Sequence, residues 1–387
     1  MRMNNFQNNS IIKKAKHRNW KLCKLTDVLS DETRKATKVK KGDYLESGDI
    51  PIIDQGASLI GGYSDLDDGY YDDVPFIVFG DHTRILKYIE KPSFIGADGV
   101  KILNVKLRDE INIKYLYYFL KSIDIPNTGY NRHFKFLKEI IIPIPTLKTQ
   151  DKIVSLLDRI NDIIEKREQQ IEALSSLKQS IYLDMFGDPV INKKDWQTKK
   201  LEELGSWSSG GTPARKNVEY YNGTIPWLSS GELNDIYTYF SDEHITEVAI
   251  KESSAKIIPV NSILLGMYDS AGLKSTINKM ECSCNQAIAF SFLDNEISST
   301  EFVYFTIQLM KDYLKRQQRG VRQKNFNLSM IKKIKIISPP LNLQTSFEKK
   351  LIEIQRKESV MKKGLDVLTI LFESLTQKAF NGELFND

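Results

Sequence analysis

The feature that most constrains this chain is an interval of 194 residues, at which its helical landmarks recur with no insertion (344 − 150, 374 − 180 and 380 − 186). The first set reads Pro145-Thr-Leu-Lys-Thr-Gln150, an apolar-periodic stretch, Ser180 and Phe186-Gly187; the second reads Pro340-Leu-Asn-Leu-Gln344, another such stretch, Ser374 and Phe380. A helix gains or loses a turn cheaply unless its length is in use, so equal length in both copies indicates that these helices measure something. With Ile153 as a heptad a position, the a/d series of the first copy is Ile153, Leu157, Ile160, Ile164, Arg167, Ile171, Leu174, Lys178, Ile181 and Met185, eight of ten apolar. Shifted by 194 residues it becomes Phe347, Leu351, Ile354, Glu358, Met361, Leu365, Leu368, Phe372, Leu375 and Ala379, nine of ten apolar. One seam serves two helices. The 36-residue step from Gln150 to Phe186 would span about 54 Å as a helix, longer than a globular domain of this size needs. Gly187 with Asp188-Pro189, and Asn381-Gly382, read as helix stops. Gly364 is an internal weakness of about 1 kcal/mol that packing must absorb.

The segments before these helices also repeat, less strictly. Trp20-Lys-Leu-Cys-Lys-Leu and Trp196-Gln-Thr-Lys-Lys-Leu open two units, each continuing in short strand-like runs separated by Gly, Pro, Asn and Asp turns. Gly48-Asp-Ile-Pro51-Ile-Ile, Val74-Pro-Phe-Ile-Val-Phe79 and Val100-Lys-Ile-Leu-Asn-Val105 are matched by Gly223-Thr-Ile-Pro226-Trp-Leu, Ser262-Ile-Leu-Leu265 and Gln286-Ala-Ile-Ala-Phe-Ser-Phe292. An aromatic-rich helix follows in each, at Lys114–Leu120 and Phe302–Leu309, and then a glycine with basic and polar residues. From tryptophan to glutamine the two units differ by 18 residues (148 against 130), whereas the helices do not differ. Variable heads sit on rods of fixed length.

At 387 residues and 41% hydrophobic content the chain can fill two or more cores. It has no apolar run of membrane-spanning length and no signal-peptide pattern at its start, and its three cysteines, Cys23, Cys282 and Cys284, fit a reducing compartment. A cytoplasmic protein with no membrane association is expected. Cys282 and Cys284 lack a second ligand pair at zinc spacing, so they are read as strand residues and no metal is expected. No catalytic constellation emerges either. Ser338-Pro-Pro-Leu341 lacks the amide or carboxylate and the aromatic of an amino-methyltransferase loop, Gly205–Thr212 lacks the end of a P-loop, and Glu348-Lys-Lys350 lacks an upstream carboxylate partner. The four histidines stand far apart, and His82 in Gly80-Asp-His-Thr-Arg84 is read as a polar turn residue. The net charge of +5 is too mild to argue for nucleic acid by itself.

Two heads alternating with two rods, Pro-x-Leu-x-x-Gln or Pro-Pro-Leu-x-x-Gln before each rod, and Asp-Met-Phe186-Gly-Asp-Pro after the first, resemble the specificity subunits of type I restriction-modification systems. Gly210-Gly-Thr-Pro213, Ile225-Pro-Trp-Leu228, Asn285-Gln286-Ala, Ile50-Pro-Ile-Ile-Asp-Gln-Gly56-Ala-Ser and Gly96-Ala-Asp-Gly99 add to the resemblance, which covers the chain past residue 18 or so. It implies an α+β fold of two α/β target recognition domains separated by two long antiparallel coiled-coil helices in a pseudo-twofold arrangement. The implied boundaries are 1–148 (N-terminal segment and first head), 149–187 (central helix), 188–342 (second head) and 343–387 (C-terminal helix and tail). The resemblance further implies a non-catalytic subunit that reads a bipartite, asymmetric site on double-stranded DNA. The same resemblance implies docking of two methyltransferase subunits and, through them, of nuclease and translocase subunits; S-adenosylmethionine is expected in the methyltransferase, and no cofactor is expected in this chain. The acidic run Asp65-Leu-Asp-Asp-Gly-Tyr-Tyr-Asp-Asp73 departs from such a role and is expected to point away from phosphate. The competing reading is a coiled-coil adaptor with two protein-binding heads.

Candidate DNA contacts follow from charge and position. Lys311-Asp-Tyr-Leu-Lys315-Arg316-Gln-Gln-Arg319-Gly-Val-Arg322-Gln323-Lys324-Asn325 carries six Lys/Arg against one Asp beside amides able to bond base edges. Its counterpart in the first head comprises Lys121, Asn131, Arg132, His133, Lys135 and Lys138. Asp54, Gln55, Ser58, Arg84, Ser229, Ser230, Glu232 and Asn234 follow strand ends in turns and carry donors or acceptors for base reading. Tyr130 and Tyr268 are placed to pack on sugar or base.

Overall fold

The structure is a computed structural model in which residues 20–268, 273–318 and 325–385 are described. The chain divides into two compact units, residues 1–169 with 362–387 and residues 170–361. Each contains one head and a portion of both rods. The rods are continuous helices of 40 residues, Leu147–Phe186 and Leu341–Phe380. Among the described residues no helix is long and apolar enough to cross a membrane.

In the first unit a two-stranded neck pairs Lys21–Lys24 antiparallel to Ile141–Ile144, with Lys21 opposite Ile144. The main sheet runs Leu29–Asp31, Val100–Val105, Phe76–Gly80, Leu86–Ile89, with every neighbour antiparallel. Phe76–Gly80 is buried throughout, as its unbroken apolar sequence requires. A second sheet orders Lys38–Val39, Phe94–Gly96, Ile50–Ile53 and Gly62–Ser64. The aromatic helix Ile113–Lys121 starts at Asn112, whose side chain accepts from the amides of Lys114 and Tyr115. Its buried face joins a core with Ile153, Val154 and Leu157 of the central rod and with Ala379 and Phe380 of the C-terminal rod. The start of one rod therefore packs beside the end of the other, an antiparallel pairing within this unit. The Phe380 ring lies 5.3 Å from that of Tyr115 and 5.2 Å from that of Phe119.

The second unit repeats the plan. Its neck pairs Thr198–Lys200 with Lys335–Ile337. One sheet runs Gly205–Ser209, Ile288–Leu293, Ile263–Gly266, Ser275–Asn278, Tyr237–Thr238, and a smaller one runs Glu243–Ile245, Ile225–Leu228, Ser283–Cys284. The aromatic helix, Thr300–Gln318, has 19 residues against nine in the first head. Tyr182 and Phe186 from the end of the central rod meet Phe302 and, from the start of the C-terminal rod, Phe347, with Phe186 4.9 Å from Phe302 and 5.7 Å from Phe347. The rods are antiparallel here too. Phe186 and Phe380 thus do the same work 194 residues apart, and Gly187 and Gly382 end their helices at φ values of +79° and +71°. Cys282 and Cys284 are buried beside or within the short Ser283–Cys284 strand, where burial pushes the Cys282 thiol up to about 12 and the Cys284 thiol upward as well.

The glutamine that opens each repeat has one role in both. Gln150 is fully buried; its Oε1 accepts from the amide of Asn112 at 2.8 Å, while its Nε2 donates to the carbonyls of Glu110 and Pro145, both at 2.9 Å. Gln344 accepts from the amide of Ser299 at 3.0 Å and donates to the carbonyl of Pro339 at 2.7 Å. Each amide latches the start of a rod to the start of the aromatic helix in its own head.

The seam residues Ile153, Leu157, Ile160, Leu351 and Ile354 are buried, and Ile164, Ile171, Leu174, Ile181, Met361, Leu365, Leu368, Phe372 and Leu375 are half-buried. Its two charged exceptions in the second unit meet each other. Lys178 Nζ lies 2.6 Å from Glu358 Oε2, and both side chains are 7% exposed. Gln355 Oε1 accepts from the same ammonium at 3.3 Å. By the 194-residue correspondence, the first unit has Phe372 in place of Lys178 and Ile164 in place of Glu358. Lys178→Met or Glu358→Gln alone should destabilise the chain by about 3 kcal/mol or more, because each removes one member of a buried ion pair and leaves the other charge in place. The pair Lys178→Phe/Glu358→Ile should be neutral or stabilising in the same denaturant titration, and equal losses from single and paired variants would contradict this.

Candidate nucleic-acid interface

In the first head three loops converge at one end of the strands. Phe76–Gly80 turns back through residues 81–85, with the Gly80 amide bonded to the Ile85 carbonyl at 2.8 Å. Gly80 is needed for close approach, since an added Cβ would stand 2.3 Å from Thr83 Oγ1 and 2.9 Å from Gln55 Cβ. Gln55 gathers the neighbours: its carbonyl accepts from Thr83 Oγ1 at 2.8 Å, its Oε1 from the His82 amide at 3.3 Å, and its Nε2 donates to Asp98 O at 3.5 Å. Buried Asp81 ties in residues 127–134, accepting from the amides of His133 (2.9 Å) and Phe134 (2.7 Å). Tyr130, 89% exposed, stacks on His82 at 4.6 Å and 6°. Gln55, His82 and Tyr130 therefore form one platform, with Asn131 and Arg132 exposed next to it in sequence.

The remaining candidates of this head have more varied positions. Ser58 is exposed in the loop after Ile50–Ile53. Asp54 bonds inward to the Gly56 amide at 2.8 Å and faces Lys87 Nζ at 3.5 Å. Arg84, at φ +65°, donates through Nη1 to the Ile125 carbonyl at 2.8 Å. His133 is wholly buried and serves the loop scaffold. Lys121, Lys135 and Lys138 are exposed, with ammonium groups above Tyr117, Phe136 and Phe134. The acidic run lies at the opposite end of the strands. Asp72 and Asp73 precede Phe76–Gly80, Asp65 follows Gly62–Ser64 at the end away from residues 54–61, and Asp73 pairs with Arg108.

In the second head the loop after Ile225–Leu228 turns on Glu232. Its Oε2 accepts from Ser229 N (2.6 Å) and Oγ (2.8 Å), and its Oε1 accepts from Asp242 N (3.0 Å) and lies 3.2 Å from Ser241 Oγ. Burial would raise its pKa, but these bonds from Ser229, Asp242 and Ser241 to the charged form hold it below the ordinary carboxylate value. Ser230 is half-buried, Asn234 is exposed, and Asn234 Oδ1 accepts from Lys274 Nζ at 3.1 Å. Lys274 also neighbours the aromatic helix. The Lys311 ammonium is held below its ordinary pKa first by burial and then by Lys315 and Lys274, against the opposing effect of the Asp312 carboxylate. Three lysines, an amide and the Asp312 carboxylate thus share one locality with an excess of positive charge, which suits an approaching phosphate. Arg316, Tyr268 and Asn325 are exposed, whereas Arg319, Arg322, Gln323 and Lys324 lie outside the described residues. Sequence reasoning missed Lys274 because nothing local marks it; only the convergence of strand, loop and helix does. Lys87 had a signal, sharing the inward parity of Leu86–Ile89 with Ile89.

The family model described as "Type I restriction modification DNA specificity domain" matches residues 17–173 and again 193–365. The chain belongs to that family. Each match takes in one head, so each head is a DNA specificity domain. Relatives include the specificity subunit of an Escherichia coli type I restriction enzyme, 27% identical over 285 residues (70% of each chain), and one from Methanocaldococcus jannaschii, 23% identical over 298 residues (68% of this chain, 69% of the other). The crystal structure of the type I S subunit from M. genitalium shares the fold, with a TM-score of 0.62 at 16% identity over 98% of both chains. The family favours DNA recognition over the protein-adaptor reading, and gives the lysine locality a ligand to test. Lys274→Ala and Lys315→Ala should each reduce the slope of log affinity against log salt by about 0.9 if each meets one phosphate, with base preference unchanged. An unchanged slope in both would remove this locality from the interface.

Proposed function

We propose that this specificity subunit reads a bipartite, asymmetric site on double-stranded DNA, one half-site per head, and that its rods set the number of unread base pairs between the halves. The observation that carries this is a contrast. Both heads raise loops from corresponding strand ends and furnish them differently, Gln55 and Ser58 against Ser230, Asn234 and Lys274, flanked by Tyr130, Asn131 and Arg132 after the aromatic helix of the first head and by Lys315 and Arg316 on that of the second, while both rods hold at 40 residues. Unlike readers select unlike half-sites, and a fixed rod length supports a fixed spacer. Phosphate contacts from the lysines position the duplex, and the amides and hydroxyls of the loops read base edges.

The subunit performs no chemistry of its own. It docks two methyltransferase subunits, which bind S-adenosylmethionine and through which nuclease and translocase subunits join, in the cytoplasm. Val360, Val367 and Ile370, exposed on the C-terminal rod outside the seam, support a protein partner there. A binding series with the methyltransferase partner at fixed salt tests the main claim: the preferred site should bind about three orders of magnitude more tightly than unrelated DNA. Binding without base preference would sink it. For the spacer, one heptad added to both rods lengthens them by about 10.5 Å, so the preferred spacer should grow by about three base pairs at ~3.4 Å each. A spacer that stays the same would rule out a ruler.

A further inference from the structure

The two loops that follow the corresponding strands Ile50–Ile53 and Ile225–Leu228 are both folded around a buried or half-buried charge, and the two charges are opposite. In the first head the charge is the Lys87 ammonium. The Lys87 side chain is 4% exposed, and its Nζ donates to the carbonyls of Ser58 at 2.6 Å and Asp54 at 2.7 Å, with Leu59 O and Asp54 Oδ1 at 3.5 Å. Every one of these acceptors belongs to residues 54–59, the segment that carries Gln55 and Ser58. A buried ammonium is costly unless other groups replace its water, and here carbonyls of residues 54–59 do so together with the Asp54 carboxylate, so the loop must keep its shape for the lysine to stay charged. In the second head the charge is the Glu232 carboxylate. Its four contacts, from Ser229 and from Ser241 and Asp242, draw the two ends of the 229–242 loop together.

The register shows that these are different solutions at matched places. Lys87 stands opposite Val78, two residues before the end of its strand at Gly80, and Thr276 stands opposite Leu264, two residues before Gly266. Where the first head has an ammonium, the second has a hydroxyl 3.4 Å from Ile236 O, and the bracing has moved into the loop itself.

We infer that Lys87 and Glu232 are positioning residues for base reading: Lys87 sets the conformation of the loop presenting Gln55 and Ser58, and Glu232 that of the loop presenting Ser230 and Asn234. Glu232 is thereby a brace, since both of its oxygens are already engaged within the loop. The inference rests on the half-site reading proposed above, and it adds that the two braces act on different half-sites.

The test uses the full chain assembled with its methyltransferase partner and a pool of sites in which one half-site is varied while the other is held. Lys87→Met should lower discrimination at one half-site by roughly fivefold or more, the scale of one lost base-pair preference, and leave the other half-site and the salt slope unchanged. Glu232→Gln, nearly isosteric, should do the same at the opposite half-site. A residue that merely stabilised the fold would lower the melting temperature and affect both half-sites together. Undiminished discrimination in both folded variants, or relaxation of the same half-site by both, would overturn the inference. If Lys87→Met does not fold, Asp54→Asn, which removes the carboxylate facing the same ammonium, supplies the same half-site readout. A wild-type complex without base preference would instead overturn the DNA reading itself, and the braces with it.

Discussion

A buried glutamine amide joins each head to the start of its rod, and the placement of everything above it depends on that join. Gln150 satisfies a helix-start amide and two carbonyls at once, and Gln344 satisfies an amide and a carbonyl in the same places of its own unit. A donor or acceptor left unmade in such a dry setting costs about 1–3 kcal/mol, whereas the bond itself contributes less. The amide therefore works mainly by making other arrangements expensive. Glutamine alone among side chains of this length offers a neutral donor and acceptor together, and a glutamate here would face two carbonyls with lone pairs. Aromatic packing completes the join at the opposite rod end, through Phe380 in one unit and Phe186 in the other.

The rods combine two kinds of interaction with different consequences. The apolar seam is largely indifferent to a shift of one heptad, since Ile, Leu and Met exchange at modest cost. The pair of Lys178 and Glu358 is not, because a shift would leave both charges buried and apart. One buried ion pair thus contributes register where the seam contributes association, a role well attested for polar residues in coiled coils. Its uneven distribution also differentiates the two helices: the residues at the corresponding places, Ile164 and Phe372, are both apolar.

What could be read from the sequence was whatever depends on period. The seam, the paired glutamine and phenylalanine landmarks and the terminating glycines are all local or strictly repeated, and the helices run 40 residues in both copies. The aromatic helices and the strands Phe76–Gly80 and Ile263–Gly266 were legible from unbroken apolar runs. The candidate interface was legible only in outline. Turn residues such as Asp54 and Glu232 carry acceptors that suit a base edge equally well, but a short loop satisfies its own amides first. Lys87 and Lys274 derive their places from loops and strands that meet only in the fold. His82 read as a turn residue, and it is one; its parallel stack with Tyr130 depends on Asp81 drawing a segment 50 residues away to the same edge.

The necks explain why heads of such different content tolerate rods of one length. In each head the first and last strands pair with each other, Lys21–Lys24 with Ile141–Ile144 and Thr198–Lys200 with Lys335–Ile337. Whatever lies between is a closed excursion whose two ends are fixed by backbone hydrogen bonds. A ten-residue longer helix and a longer loop after Ile225–Leu228 therefore enlarge the second head without moving the point at which chain passes into rod. Loop closure costs grow only logarithmically with length, so such excursions can lengthen at little expense in stability. Insertion into a rod has no such refuge, since each added residue displaces every seam contact beyond it by about 100° around the helix axis. The 18-residue difference between heads and the absence of any difference between rods are two consequences of the same backbone geometry.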